Sequence, residues 1–205
     1  MLTWRVEFFR RAAGSPASLA VLSAAFNPPT RAHLALASAA LDHADETLLV
    51  LPRVFPHKSY EGPGFIERLR LVQDAVAQEP RFSVAASERG LFIEIADELA
   101  GSYDPATRLL FVCGRDAAER IVNWDYGEAG ALQKMLDRFE LLVAARGGEY
   151  VPPPHLRARI NNLRLAEDYG RISATDVRHR IVTGLPWEHL VPESIVARVR
   201  ELYSG

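Results

Sequence analysis

The sequence predicts a single α/β domain in which helices flank a parallel β-sheet. Short runs that are almost wholly apolar alternate along the chain with stretches of helical spacing, which is the pattern of repeated strand–helix–strand units. With 205 residues, of which 48% are hydrophobic and 24% charged, the chain can bury a core without disulfides or a structural metal. The apolar runs predicted as central strands are residues 19–25, 47–52, 108–113 and 140–145.

The first residues predict an additional strand outside this repeated pattern. Apolar and polar residues alternate from Leu2 to Phe8, which is the period-two pattern of a strand with one buried face. The tripeptide Gly14-Ser15-Pro16 then interrupts the chain. We therefore divide the sequence into an N-terminal extension of residues 1–16 and one domain of residues 17–205.

Helices are predicted between the strands and after them. The segment after the first apolar run is rich in Ala and Leu, and Ile66, Leu69 and Val72 recur with helical spacing in the next one. The last two helices are expected to form a small C-terminal helical cap on the same domain. A further strand is predicted at residues 81–86. The predicted helices are residues 30–41, 65–77, 92–99, 129–136, 173–182 and 192–202.

Charge and cysteine content argue against several classes of protein. Lys and Arg total 24 against 26 Asp and Glu, so the net charge of −2 provides no general field for nucleic acid or an anionic membrane. We therefore expect neither as a partner, and an anionic ligand needs a local cluster of donors. The one cysteine, Cys113, excludes a disulfide framework and is expected to be a buried apolar residue. This cysteine usage is typical of a cytoplasmic protein, and the spacing of the histidines predicts no metal site.

The first candidate site follows the first apolar strand, where ligands of parallel α/β sheets bind. Thr30 stands where an N-cap is expected, and His33 lies three residues later on the same face of the first helical turn. That face is beside free backbone N–H groups and the positive end of the helix dipole, which favours a phosphate group. The alternative is a capping threonine with a packed histidine.

The second candidate site begins the helix predicted at residues 173–182. Ser173 followed by Asp176 resembles a capping box. Thr175 and Arg178 share a face, and the guanidinium of Arg178 matches phosphate oxygens. The segment therefore predicts a second anion-binding helix start, and the alternative is an ordinary capped helix with a solvated arginine.

Together these two segments resemble the signatures of the cytidylyltransferase-like nucleotidyltransferases. Residues 30–33 resemble the (H/T)xGH signature and residues 172–178 the ISSTxxR signature. Further likeness points to the bacterial nicotinate mononucleotide adenylyltransferases, and it extends from Leu19 to Tyr203. The segments that carry it are Phe55-Pro56-His57-Lys58, Arg68-Leu69-Arg70-Leu71, Gly114-Arg115-Asp116 with Trp124, and Val191-Pro192.

The resemblance implies a Rossmann-like nucleotidyltransferase fold and transfer of AMP from ATP to a pyridine mononucleotide. Nicotinate mononucleotide is the favoured acceptor, pyrophosphate is released, and the product belongs to NAD biosynthesis. Mg²⁺ is expected to accompany ATP and to keep several waters, so few protein ligands are needed.

The resemblance also implies roles for individual residues. His33 would contact the α-phosphate with Thr30 as a further donor, and Arg178 with its helix start would hold the β- and γ-phosphates. The residues expected to be catalytic are His33, Thr30, Arg178 and Lys58. Those expected to bind ATP are Phe26, Thr30, His33, Gly114, Asp116, Ser173, Thr175 and Arg178, and those expected to bind the acceptor are Asn27, Lys58, Trp124 and Arg146.

Plain structural alternatives remain open for several of these side chains. Lys58 and Arg146 could be solvated surface cations, Asp116 could be an N-cap, and Trp124 could be a half-buried loop aromatic.

Three departures from the family pattern leave the substrate open. Ala24 and Ala25 replace glycines that permit close approach of the backbone to the nucleotide, and Ala32 replaces the glycine of the first signature. Residues 90–99 replace a stretch that frames the pyridine nucleotide. The alternatives are an adenylyl- or cytidylyltransferase for another phosphorylated acceptor, or a nucleotide-binding homologue with little activity. The sequence also does not decide between nicotinate mononucleotide and nicotinamide mononucleotide as the acceptor. It leaves the oligomeric state open as well.

Overall fold

The computed structural model describes residues 5–54, 62–144, 149–165 and 169–204. They form one seven-stranded sheet with the order β1-β4-β3-β2-β5-β6-β7. Strands β2 to β7 pair in parallel, and β1 pairs antiparallel with β4. The strands are β1 Glu7–Arg10, β2 Ser18–Ser23, β3 Glu46–Pro52, β4 Phe82–Ser87, β5 Arg108–Gly114, β6 Glu140–Ala144 and β7 Ile160–Leu163.

Helices cover both faces of this sheet, so the predicted parallel sheet with flanking helices is confirmed. One face packs on α1 and α2 and the other on α3, α4 and α5. Because both faces are buried, the central strands are apolar at nearly every position. The helices are α1 Arg31–Ala40, α2 Phe65–Ala75, α3 Phe92–Leu99, α4 Arg115–Asn123, α5 Ala131–Leu136, α6 Ala174–Thr183 and α7 Val196–Tyr203.

The sequence did not predict two of these elements, α4 and β7. Helix α4 has a short apolar stripe, in which Ala118 is buried and Ala117, Ile121 and Val122 pack partly buried against the core, but the prediction missed it. Strand β7 reads Ile-Asn-Asn-Leu and lies at the edge of the sheet, where pairing with β6 rather than residue pattern defines it.

The predicted C-terminal helical cap is present and packs on the outer side of α2. Val177 of α6 and Val199 of α7 share a buried cluster with Leu71 of α2. The last predicted helix is divided, because a 3₁₀ turn at Glu193–Ile195 precedes α7. The cap therefore brings the ends of α6 and α7 close to the helices that flank the central strands.

The described part of the predicted N-terminal extension adds an edge strand to the same sheet. The alternation predicts a strand near residues 2–8, whereas the described strand lies further along, at Glu7–Arg10, and pairs with β4. The Arg10 guanidinium donates to the carbonyl oxygens of Val76 and Glu79, at 2.7 Å for Glu79, where α2 ends. A cation beside the carboxyl end of a helix is stabilising, so Arg10 fastens β1 to α2.

Replacing Arg10 by alanine is expected to lower the free energy of unfolding by about 1.5–3 kcal/mol, because two carbonyl groups lose a charged donor. Urea unfolding of Arg10→Ala measures this loss, and Arg157→Ala, which changes an exposed arginine, is the control. Equal unfolding midpoints for the two variants would show that the Arg10 contacts do not stabilise the fold.

Candidate functional site

The strand order places a crevice between β2 and β5. From β2 the chain moves outward through β3 to β4 and then returns to β5 on the other side of β2. Val21 of β2 pairs with Phe111 of β5, so the two strands end at a similar level. Ligands of open α/β sheets bind beyond the carboxyl ends of the strands at such a reversal. Residues 24–33 and 114–124, both singled out in the sequence, follow these two ends.

Thr30 and His33 form a reciprocal cap at the start of α1. The backbone N–H of Thr30 donates to His33 Nδ1 at 3.0 Å, and the backbone N–H of His33 donates to Thr30 Oγ1 at 3.4 Å. Since Nδ1 accepts a hydrogen bond from a backbone N–H, the neutral imidazole carries its proton on Nε2. The cap therefore sets the tautomer and the orientation of His33.

The surroundings of this pair fix His33 further. Thr30 is fully buried and its Oγ1 lies 2.8 Å from His33 Nδ1, so its hydroxyl group contacts the imidazole. Phe26, which is only 1% exposed, lies beneath the imidazole with the ring centroids 5.0 Å apart. The structure thus places Thr30 and Phe26 behind His33.

The alanines that replace family glycines fit their places without backbone strain. Among the described residues, Phe26 is the non-glycine residue with a positive φ, at 47°, while Ala24 and Ala25 avoid the left-handed region. Ala32 is 3% exposed, so its methyl group lies in the protein interior. The three alanines are therefore compatible with the backbone conformation found here.

The start of α6 lies against the segment that precedes α1. The Arg178 guanidinium donates through Nη1 to the carbonyl oxygen of Asn27 at 2.5 Å and through Nη2 to Thr175 Oγ1 at 3.4 Å. Residues 27 and 178, which are 151 positions apart, thereby bring the two predicted helix starts together. Arg178 is half-buried, while Ser173 and Thr175 are exposed at the surface of the same helix start.

The capping box predicted for α6 forms only in part. The Ser173 hydroxyl accepts from the backbone N–H of Asp176 at 3.1 Å, as predicted. The Asp176 carboxylate pairs with Arg180 Nε at 2.9 Å instead of returning to Ser173, because aspartate is shorter than the usual glutamate. Ser173 is therefore a simple N-cap.

Two residues that the sequence did not single out for the site also hold the segment after β2. Arg68 of α2 is 6% exposed and donates through Nη1 to the carbonyl oxygen of Ala25 at 2.6 Å. The Tyr203 hydroxyl of α7 donates to Asn27 Oδ1 at 2.6 Å. The only sequence signal for Arg68 was its family-like Arg-Leu-Arg-Leu segment, and Tyr203 had none beyond ending the region of resemblance.

Asp116 and Trp124 belong to α4, which follows the carboxyl end of β5. Gly114 is the N-cap of α4, Asp116 lies in its first turn, and Trp124 is its C-cap residue. Asp116 and Trp124 line an open depression of about 460 Å³, and Trp124 is 63% exposed. The remaining described residues lining this depression also come from α4, so the structure does not bring Trp124 together with His33 or Arg178.

Lys58 and Arg146 lie outside the described residues, as does the Phe55-Pro56-His57-Lys58 segment. The chain is described again from Gly62, where φ is +105°. A Cβ at Gly62 would stand 3.8 Å from Asn27 Oδ1 and 4.0 Å from Tyr203 Cε1. The chain that follows β3 therefore passes directly beside Asn27.

No group of three or more His, Cys, Asp or Glu side chains within the described ranges is arranged to hold a metal ion. Cys113 is buried, and burial raises the pKa of its thiol to about 12, so it packs as an apolar residue. No helix in the same ranges is long and apolar enough to cross a membrane.

Comparison with known proteins identifies the family. The sequence profile of the family described as cytidylyltransferase-like matches residues 22–180. A probable nicotinate-nucleotide adenylyltransferase of Exiguobacterium sibiricum is 27% identical, over 89% of this chain and 96% of the relative. One of Salinispora arenicola is 29% identical, over 87% and 97%.

The fold is similar to that of Plasmodium falciparum nicotinic acid mononucleotide adenylyltransferase, solved in complex with NaAD. The TM-score is 0.63 with 15% identity, and the match covers 89% of this chain and 96% of the other. Because the family profile spans most of the chain and includes both helix starts that Arg178 joins, the protein belongs to the cytidylyltransferase-like family.

Proposed function

We propose that this protein transfers AMP from ATP to nicotinate mononucleotide and releases pyrophosphate. The observation that carries the proposal is the Arg178–Asn27 contact, which joins two helix N-termini beside a histidine of fixed tautomer. The two relatives are named probable nicotinate-nucleotide adenylyltransferases, and the similarity covers nearly their whole length. We place the reaction in the cytoplasm, with ATP and a mononucleotide as the partners.

The reaction is an in-line displacement at the α-phosphorus of ATP. A phosphate oxygen of the mononucleotide forms the new P–O bond, and the bond between the α-phosphorus and the pyrophosphate oxygen breaks. Such a transfer needs positioning and neutralisation of charge rather than a covalent intermediate. The N-termini of α1 and α6 supply backbone N–H groups for the phosphate oxygens.

Individual side chains take distinct roles in this arrangement. We assign His33 Nε2–H to an α-phosphate oxygen, where charge develops. Thr30 and Phe26 orient His33 from behind, since both are buried. Arg178, with Ser173 and Thr175 at the same helix start, faces the β- and γ-phosphates. Gly114 and Asp116 are proposed to contact ATP at the carboxyl end of β5.

Mg²⁺ would arrive with ATP, held by phosphate oxygens and water. The donor set near the two helix starts agrees with this, because its carboxylate, Asp176, is already paired with Arg180. The ion would neutralise the triphosphate, while Arg178 and the helix N-termini orient it.

The acceptor is proposed to lie on the α4 side of the crevice. Trp124 offers an exposed aromatic face for a pyridine ring. Asn27 is proposed to contact the acceptor near the transferred phosphate. Lys58 and Arg146 are proposed as further contacts to the acceptor phosphate.

Pyrophosphate release tests the proposal. ATP and CTP are each combined with nicotinate mononucleotide, nicotinamide mononucleotide or phosphopantetheine, and ATP with nicotinate mononucleotide should be the fastest pair. A faster rate with CTP would identify a cytidylyltransferase, and a faster rate with phosphopantetheine would assign the protein another acceptor class. ATP binding without turnover of any pair would identify a nucleotide-binding homologue with little activity.

Replacing Trp124 by alanine is expected to raise the KM for nicotinate mononucleotide several-fold, because the lost stacking contributes about 1 kcal/mol. The KM for ATP should change little. Steady-state kinetics measures both constants, and Tyr126→Ala, which removes an exposed aromatic outside the depression, is the control. An unchanged KM for the acceptor would remove Trp124 from the site.

Fluorescence gives an independent measurement of the same contact. A variant that keeps Trp124 but carries phenylalanine at Trp4 and Trp187 reports on that one indole. Quenching by nicotinate mononucleotide is expected. A protein that binds ATP but shows no quenching at millimolar acceptor would contradict stacking on Trp124.

A further inference from the structure

The last residue of α7 contacts the segment between β2 and α1. The Tyr203 hydroxyl donates to Asn27 Oδ1 at 2.6 Å, across 176 positions of sequence. Asn27 is only 4% exposed and Tyr203 is half-buried, so this bond is partly shielded from solvent. The ring of Tyr203 packs against the buried cluster that joins the C-terminal cap to α2. The cap therefore fixes where the hydroxyl group can reach.

Asn27 is held through its main chain and its side chain by different helices. Its carbonyl oxygen accepts from Arg178 of α6, and its amide oxygen accepts from Tyr203 of α7. Two residues earlier, the carbonyl oxygen of Ala25 accepts from Arg68 of α2. Three helices thus fasten one short segment, which ends at the cap that orients His33.

The protonation state of Tyr203 keeps it a donor. Burial raises the pKa of the Tyr203 hydroxyl above its usual range, against the opposing effect of the nearby Arg178 and Arg68. Glu67 raises the pKa as well. The hydroxyl proton therefore stays in place, and the acceptor is the Asn27 amide oxygen. That leaves the Nδ2 end of the amide turned away from Tyr203.

We infer that Tyr203 is a positioning residue for adenylyl transfer, whose hydroxyl holds Asn27 so that the segment of residues 24–30 keeps His33 and Arg178 in their relative positions. The inference rests on the proposed function for its chemistry. Tyr203 itself touches no reacting atom, so it acts through Asn27. Small displacements of groups at a reacting centre cost large factors in rate, which is why one hydrogen bond in this segment matters.

Kinetics of Tyr203→Phe tests this inference. We expect kcat to fall by about tenfold, while the KM values for ATP and acceptor change less than threefold, because geometry rather than ligand contact is altered. A purely structural hydroxyl would lower the unfolding temperature and leave kcat unchanged well below that temperature. An unchanged kcat would overturn the inference.

Tyr103→Phe is the matched control. The Tyr103 hydroxyl also donates at 2.6 Å to a buried side-chain oxygen, Glu46 Oε1. Glu46 is the first residue of β3, so it lies at the amino ends of the parallel strands, whereas the site lies beyond their carboxyl ends. The same substitution there should destabilise the fold without lowering kcat. A similar fall of kcat in both variants would overturn the inference by showing a general effect of lost stability.

A double-mutant cycle tests whether Tyr203 acts on turnover through Asn27. Tyr203→Phe should lower kcat in the wild-type and Asn27→Asp backgrounds, since a carboxylate still accepts from the hydroxyl. It should have no further effect in an Asn27→Ala background. Equal effects in all three backgrounds would overturn the assignment to Asn27.

Amide hydrogen exchange separates this inference from the proposed function. Tyr203→Phe should speed exchange in residues 24–33, and Tyr103→Phe should not. If the wild-type protein adenylates none of the acceptors, the proposed function fails while faster exchange still supports the tether. Unchanged exchange with an active wild-type enzyme would contradict the tether alone.

Discussion

Turnover of His33→Ala is expected to be about 10²–10³-fold below that of the wild-type protein, which is the usual loss when one donor to developing charge is removed. His33 carries its donor on Nε2 because its Nδ1 accepts from the Thr30 backbone. Alanine also removes one half of the cap of α1, so the free energy of unfolding should fall by about 1 kcal/mol. Pyrophosphate release and urea unfolding measure the two effects separately.

Two further variants isolate the role of His33. His43→Ala changes an exposed histidine just beyond the same helix and should leave turnover unchanged. His33→Asn keeps a side-chain acceptor for the cap but lacks the imidazole, so it should recover stability without recovering turnover. Turnover of folded His33→Ala within threefold of the wild type would exclude the histidine from the transfer.

Replacing Arg178 by lysine should reduce kcat/KM for ATP by about 10- to 100-fold, as expected when charged hydrogen bonds are lost. The guanidinium reaches two acceptors in different directions, Asn27 O and Thr175 Oγ1. A lysine ammonium is a point charge on a flexible stem and cannot keep this planar geometry. Acceptor affinity should change less than ATP affinity.

Arg180→Lys is the matched control, because Arg180 lies on the same helix and is paired with Asp176. It should leave the kinetics of ATP unchanged. If Arg178→Lys behaves like this control in an ATP titration, Arg178 serves only to join the two segments.

The central architecture could be predicted because strands buried on both faces leave a continuous apolar signal. The runs at 47–52 and 108–113 therefore match β3 and β5 within a residue. The helix starts at Thr30 and Ser173 were also readable, since capping is local chemistry. The short helix α4 does carry an apolar stripe, which the prediction missed.

The contacts that complete the site depend on tertiary structure and could not be predicted. Arg68 and Tyr203 reach the segment after β2 from helices distant in sequence, and no local pattern distinguishes them from other arginines and tyrosines of the chain. The partial capping box at Ser173 has a different cause, because the reach of the Asp176 side chain and the presence of Arg180 decide its partner. Residue type alone does not resolve that competition.

The connection of Asn27 to α6 and α7 also bears on how the nascent chain acquires its site. The strands from β2 to β6 leave the ribosome before α6 and α7, because synthesis starts at the N-terminus. Arg178 and Tyr203 join Asn27 only when they too have emerged from the ribosome. A chain synthesised only as far as β6 would thus lack both contacts to Asn27, so the site can be completed only once α6 and α7 are available.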